Sequence, residues 1–321
     1  MGLTIKLPKA DGEYLLEQAL LPGSDLKINA SITSYRSKYY VAYRTNFMDD
    51  FNSKNYITEL DANFEPSSHI SISSEDNNTA FEDIRLFEYH DKLMALYTYL
   101  PKKNGKWVWE NGIGIGEVDL QKKRLINQQS LREFANDKNE KNYVPLIHQD
   151  ILYLVANLDP LLRIFKVNGL AGNFTFEEDP AANYLIKGWN YGQLRGGTPF
   201  IKKNKKDQWQ YSFVHSSVYL PNGNFESRYY FYTVMRINLD NYKVQYYNRP
   251  IGYSKNDTAY DGAQPWILRS QKNLPIKVVF PMGIISHSDG LLISYGKDDL
   301  ISRLKFYSWD YIEYLFTQNN D

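Results

Sequence analysis

A chain of 321 residues has room for two average domains, yet all-β architectures of this size commonly form one. Its 37 Lys and Arg balance 37 Asp and Glu, so no net charge draws it toward nucleic acid or an anionic membrane. The absence of cysteine excludes a disulfide scaffold, a thiol nucleophile and thiolate metal sites.

Residues 1–28 read as a lead-in segment. Met1 to Ala10 has no long apolar core, and no stretch approaches the roughly 20 apolar residues of a membrane span, so the expectation is a cytoplasmic protein without a membrane span. After the first twenty residues helical periodicity gives way to short alternating runs of Tyr, Val, Ile and Phe, separated by Asp, Asn, Gly and Lys turns. The 27 Tyr against 16 Phe suit strands with one wet face.

Five strand pairs follow in order. Ala30–Tyr35 turns at Arg36 to Lys38 into Tyr39–Arg44, and Asp83–Tyr89 turns at His90 to Lys92 into Leu93–Tyr99. Tyr143–Ile147 turns at Gln149-Asp150 into Ile151–Asn157, and Thr198–Ile201 turns through Lys202 to Asp207 into Trp209–His215. The last, Val278–Ile285, turns at His287 to Gly290 into Leu291–Gly296. Self-similarity at this period predicts an all-β, single-domain, five-bladed β-propeller spanning 1–321. In that fold, strand ends far apart in sequence converge on one cavity, here Arg44, Asp83, Arg85, Asn157, His215 and Asp299. A β-sandwich would scatter them.

Asn111-Gly-Ile-Gly-Ile-Gly-Glu117 resembles a dinucleotide fingerprint, but no helical pattern follows and it reads as a glycine-rich strand. The Asn-x-Ser/Thr sites at Asn29, Asn77, Asn173 and Asn256 carry no expectation of glycosylation without a secretory signal. His69, His90, His148 and His287 look like turn or surface residues, with no spacing for a metal site, and no cofactor is expected. His215 ends an apolar strand, where a ligand-binding and a core role are both open. Asp83 and Arg85 fall on one side of a strand, where an ion pair would lower the Asp83 pKa. Arg195-Gly-Gly-Thr-Pro199 joins a cation to glycines that permit close backbone approach to a sugar or phosphate, or forms a plain turn. Tyr295-Gly-Lys-Asp-Asp299 ends the fifth inner strand with paired carboxylates suited to sugar hydroxyls or base chemistry, or is a solvated acidic turn.

Read in order, Asn29-Ala-Ser-Ile, Arg44 with Asn46, Glu82-Asp-Ile-Arg85, Glu140-Lys-Asn-Tyr-Val-Pro145, Leu194-Arg-Gly-Gly-Thr-Pro-Phe-Ile201, His215-Ser-Ser217, Val278-Val-Phe-Pro-Met-Gly283 and Tyr295–Asp299 resemble glycoside hydrolase family 130. These are five-bladed propeller β-mannoside phosphorylases and hydrolases, and a related bacterial branch shares the likeness. The resemblance implies an enzyme that makes or breaks a glycosidic bond to a mannose-type sugar. It points to Arg44, Arg195 and His215 for inorganic phosphate or its equivalent, and to Asp83, Arg85 and Asp299 for the sugar. Asn29, Lys141, Asn142, Gln193 and Tyr295 are further candidates for substrate binding, and Asp261 of Tyr260-Asp-Gly262 is a reserve carboxylate. Two departures stand out. Where the family resemblance leads to an acid after the strand following Glu-Asp-x-Arg, this chain has Tyr97-Thr-Tyr-Leu-Pro-Lys-Lys103, and the family's lysine before the glycine pair falls near Gln193. They leave a glycosyltransferase using a nucleotide-sugar donor, or a non-catalytic glycan-binding propeller, as alternatives.

Overall fold

The computed structural model describes residues 12–15, 26–46, 54–74, 79–103, 106–107, 112–131, 142–158, 160–169, 171–182, 184–222, 225–253, 276–297 and 301–318. In chain order, β1 (Gly12–Leu15) precedes a first blade of β2 (Leu26–Tyr35), β3 (Lys38–Asn46), β4 (Lys54–Leu60) and β5 (Pro66–Ile72). The second holds β6 (Thr79–Tyr89), β7 (Lys92–Lys103), the short β8 (Lys106–Trp107) against β7, β9 (Gly112–Asp119) and β10 (Arg124–Ser130). The third is β11 (Val144–His148), β12 (Ile151–Asn157), β13 (Arg163–Asn168) and β14 (Thr175–Glu178). The fourth is β15 (Ile201–Lys202), β16 (Gln210–Asn222), β17 (Phe225–Asn238) and β18 (Lys243–Tyr246), with β19 (Gly252–Tyr253) and β20 (Ile276–Lys277) against β17. The fifth is β21 (Val279–His287), β22 (Gly290–Lys297) and β23 (Ile301–Ser308), and β1 completes it by pairing antiparallel with β23. The chain thus closes its ring with a strand from its own beginning, inside the segment the sequence had marked as a lead-in.

All five expected strand pairs are the first two strands of a blade. Two-residue turns join them in the first three blades, with positive φ at Arg36 and Ser37, His90 and Asp91, and Gln149 and Asp150. Turns of that handedness match strand twist, although none of the six residues is glycine. Each interface between adjoining blades holds an apolar cluster, and the clusters run around the ring. Ile57 and Ile72 meet Phe81 and Leu86, and Met94 and Leu96 meet Leu152 and Leu154. Val144 and Val155 meet Val214 and Met235, Phe213 and Val234 meet Ile284 and Ile293, and Ile285 and Leu292 meet Ala30 and Val41. Burying each such side chain contributes about 1.5–3 kcal/mol, so the ring is held by blade-on-blade packing.

The glycine-rich segment is a strand, β9. A Cβ at Gly112 or Gly114 would meet the Tyr99 ring at 2.5 Å or the Tyr97 ring at 2.4 Å, so alternate glycines make room for two tyrosines of β7. Helix α1 (Trp309–Thr317), capped by Ser308, buries Trp309, Ile312, Leu315 and Phe316 on the fourth and fifth blades. His148 is buried rather than exposed, its Nε2 3.0 Å from Asp240 Oδ1 of the neighbouring blade. No helix among the described residues is long and apolar enough to cross a membrane.

The first strands of the blades surround the axis, with β2 against both β6 and β21. Ser31 Oγ accepts from Leu86 N at 3.1 Å and donates to Met282 O at 3.3 Å, tying three of them together. This buried layer divides the axis into a cleft where the inner strands begin and a separate cavity where they end.

Candidate functional site

Alternation along a strand should send Glu82 and Asp83 to opposite faces. It does not, because β6 carries a bulge between Glu82 and Arg85 and Asp83 sits at φ 54°. The same device recurs around the axis. Asn29 at φ 56° occupies a bulge between Ile28 and Ser31, and Asn142 at φ 71° precedes β11. Each of these three stands seven positions before the first residue of its turn, at Arg36, His90 and Gln149. Asn and Asp tolerate the left-handed region better than other side chains, so this position selects them and turns short polar groups toward the axis.

The resulting cleft has a volume of about 240 Å³ and draws on every blade. Asn29 and Arg44 come from the first, Glu82 and Asp83 from the second, and Asn142 from the approach to the third. Arg195, His215, Arg228 and Tyr230 come from the fourth, and Val278 and Phe280 from the fifth. Six residues expected from sequence are therefore together: Asn29, Arg44, Asp83, Asn142, Arg195 and His215.

The electrostatics are asymmetric. Asp83 Oδ1 accepts from Asn29 Nδ2 at 2.7 Å and lies 3.8 Å from Arg44 Nε, while Arg44 NH1 lies 3.7 Å from Glu82 Oε2. Arg44 thus serves both carboxylates, and the Arg195 and Arg228 guanidiniums remain, giving the described lining one more cation than anion. His215 is 3% exposed, held by backbone bonds with Arg195 in both directions (2.7 and 3.0 Å). Its ring meets Phe280 edge-on at 4.5 Å and lies nearly parallel to Tyr230 at 6.2 Å. Among the described residues no three His, Asp or Glu side chains converge as metal ligands.

Arg85 is placed differently from its expected ion pair. The bulge sends its side chain beneath the cleft, fully buried, where Nε donates to Gly197 O at 2.6 Å and NH2 to Asn142 Oδ1 at 3.2 Å and Gly196 O at 3.5 Å. NH1 reaches the Asp83 carbonyl at 3.4 Å, not its carboxylate. Burial pushes the guanidinium pKa down to about 10, opposed by the Asp83 charge. Gly196 and Gly197 are required by this seat, since a Cβ would stand 2.2 Å from Asn142 O or from Phe213 O, both backbone atoms.

Other candidates lie elsewhere. Tyr295 is wholly buried between the fourth and fifth blades, against Tyr232, and does not line the cleft. Gln193 is exposed, its Oε1 3.5 Å from Arg195 NH2. Lys141, Asp261 and Asp299 lie outside the described residues, as does the side chain of Asn157. The sequence motifs did not single out Arg228 or Tyr230, and included Glu82, Val278 and Phe280 only within longer segments. The first two are on the second strand of a hairpin, and the available signal was the alternation of Arg228, Tyr230 and Tyr232 along one strand face.

No family model matches the chain, and no curated protein matches it in sequence. Solved structures do match in fold. A mannose phosphorylase from Leishmania mexicana in complex with phosphate superposes with a TM-score of 0.61 at 11% identity, over 94% of this chain and 89% of that one. β-1,2-Mannobiose phosphorylase from Listeria innocua, in complex with β-1,2-mannobiose, gives 0.58 at 12% identity, over 95% and 97%. A structure from the GH130 family of mannoside phosphorylases, a family containing glycoside hydrolases that target β-1,2 mannosidic linkages in Candida mannan, gives 0.57 at 12% identity, over 95% and 96%. The likeness establishes the shared five-bladed propeller.

Proposed function

We propose that the chain is a carbohydrate-active enzyme of the GH130 type, transferring a mannose-type sugar between an oligosaccharide and inorganic phosphate. The observation that carries this reading is the surplus of cation in a cleft where both described carboxylates already face Arg44. Inverting hydrolysis uses two carboxylates on opposite faces of the sugar, whereas Glu82 and Asp83 are sequence neighbours that share one arginine; phosphate is its own nucleophile and needs cations to hold it. Arg195 and His215 suit the phosphate, with Arg44 reaching both it and the sugar side.

Asp83, held by an Asn29 amide donor and beside Arg44, is placed to act as the base toward an acceptor hydroxyl. In the synthetic direction it takes the proton of the acceptor hydroxyl as that oxygen bonds to the anomeric carbon and the bond to phosphate breaks. In phosphorolysis the same proton returns to the departing oxygen. Asp299 and Asp261 stay as further carboxylate candidates on the sequence argument alone. The fold likeness to phosphate- and mannobiose-bound phosphorylases supports the same pair of ligands. A cleft of about 240 Å³ is below the roughly 300–1,000 Å³ of sites for drug-sized ligands, which favours a monosaccharide unit with phosphate over a nucleotide sugar.

The test is phosphate release from mannose 1-phosphate in the presence of mannose or β-1,2-mannobiose as acceptor. Release that depends on acceptor and is lost in Asp83→Asn supports the reading. Release that is equal with and without acceptor, or consumption of a nucleotide sugar instead, overturns it.

A further inference from the structure

The polar cleft continues onto the fourth blade's longest hairpin. Along β16 and β17 the pairs His215 with Tyr232, Ser217 with Tyr230 and Tyr219 with Arg228 set six side chains on one face. From the cleft floor outward they form a stack. The His215 and Tyr230 rings are inclined by only 13°. The Arg228 guanidinium then lies 5.0 Å over Tyr230 and 5.7 Å over Tyr219. Its Nε and NH2 both donate to Ser217 Oγ, at 3.1 and 3.0 Å, which fixes its plane.

Tyr219 ends the stack at 58% exposure. A single exposed tyrosine is ordinary on any surface. This one differs because it shares a strand face with His215 and Tyr230, and because a cleft-lining arginine is held between its ring and theirs. Tyr219 stands four positions along the strand from His215, about 13 Å, so a group on Tyr219 lies beyond the sugar seated in the cleft. The combination of an apolar ring face with a fixed guanidinium edge matches a pyranose, whose C–H face packs on aromatic carbon while its equatorial hydroxyls accept from cationic N–H groups.

We infer that this hairpin is an acceptor-side subsite for a further sugar ring, so that the substrate class is an oligosaccharide longer than a disaccharide. The inference rests on the carbohydrate reading above. Tyr219 supplies the platform and Arg228 the polar edge.

Calorimetric titration with β-1,2-linked mannobiose, mannotriose and mannotetraose tests it without requiring turnover. The expected result is binding of the longer sugars about tenfold tighter than mannobiose, the worth of one aromatic stacking contact. Tyr219→Ala should erase that gain and leave mannobiose affinity and disaccharide turnover unchanged, while Tyr219→Phe should keep it. Equal affinities across the series in wild type, or a length gain that survives Tyr219→Ala, overturns the inference, as does failure of all three sugars to bind. If length-dependent binding appears but phosphate-dependent turnover does not, the phosphorylase reading falls and the subsite stands.

Discussion

The two ends of the central axis have nearly the same size, and one is charged where the other is mostly apolar. Where the inner strands begin, about 240 Å³ is walled by Arg44, Glu82, Asp83, Arg195, His215 and Arg228. Where they end, about 230 Å³ is walled by Phe87, Pro145, Ile147, Pro199, Phe200, Ile284 and Ile285 with Thr33, Ser34 and Ser286, and Glu88 is the one charged residue of this described lining. Strands β2, β6 and β21 and the start of the third blade reach both ends, while β3, β16 and β17 add Arg44, His215, Arg228 and Tyr230 to the polar end alone. Backbone conformation adds to the difference. The starting ends carry the left-handed Asn29, Asp83 and Asn142, which break the alternation and turn polar groups inward, whereas the finishing ends keep regular pairing into tight turns. A propeller offers two openings, and irregularity of the strand marks the one built for polar chemistry.

The largest expected effect breaks the layer that separates the two ends. Arg85→Leu removes the guanidinium that satisfies Gly196 O, Gly197 O and Asn142 Oδ1 and leaves those acceptors buried. Hydrogen bonds to a charged group are worth about 1.5–3 kcal/mol each, not fully additive, so a loss of about 4 kcal/mol in denaturant unfolding is expected. A loss below about 1 kcal/mol would mean that the layer is not what holds the cleft floor together.

Next in size is Asp83→Asn, which keeps the shape and removes the base. Turnover should fall at least about a hundredfold with the melting temperature nearly unchanged, and activity near wild type on a confirmed substrate would remove Asp83 from its role. Asn29 still has a carbonyl-like oxygen to meet in that variant, which is why stability should survive.

Arg195→Ala is a smaller perturbation of the same end. Phosphate at a hundred times its Kd stabilises a folded protein by about 2.7 kcal/mol, so wild type should melt several degrees higher in phosphate. The variant should lose most of that shift. Equal protection in both proteins would assign the anion to another part of the surface.

The contrast between the two ends also explains what the sequence revealed. The inner strand pairs and their turns were legible because period-two alternation and polar turns are local signals. The pairing of β1 with β23 was not, since four residues, Gly12–Leu15, carry too little pattern to name a partner almost 300 positions away. At the site, Arg44, Asp83, Arg195 and His215 could be grouped because each stands at a strand end or beside a glycine pair, whereas Asn29 and Asn142 came only from the family resemblance. Arg85 was misplaced by assuming regular alternation through a segment that contains a bulge, and Tyr295 by treating an inward strand residue as facing the axis when it faces the next blade. Both errors concern side-chain direction, which one inserted residue in a strand reverses.

The smallest effect is expected at the apolar end, and its size is itself the test. Glu88 is exposed and stands five residues beyond Asp83 along β6, about 16 Å away at the ordinary rise of a strand. Across that distance in water two unit charges interact by about 0.3 kcal/mol, and the separation is twice the roughly 8 Å screening length at physiological salt. Glu88→Gln should therefore change phosphate affinity by less than about twofold, although it removes the one charge of that cavity's described lining. The buried Arg85 layer reinforces the isolation, since phosphate on one side meets a fixed cation before it senses anything on the other. A severalfold tightening of phosphate in Glu88→Gln, measured by titration at about 0.15 M salt, would mean that the two ends communicate through a continuous aqueous path, and that the cleft is the upper part of a channel rather than a closed site.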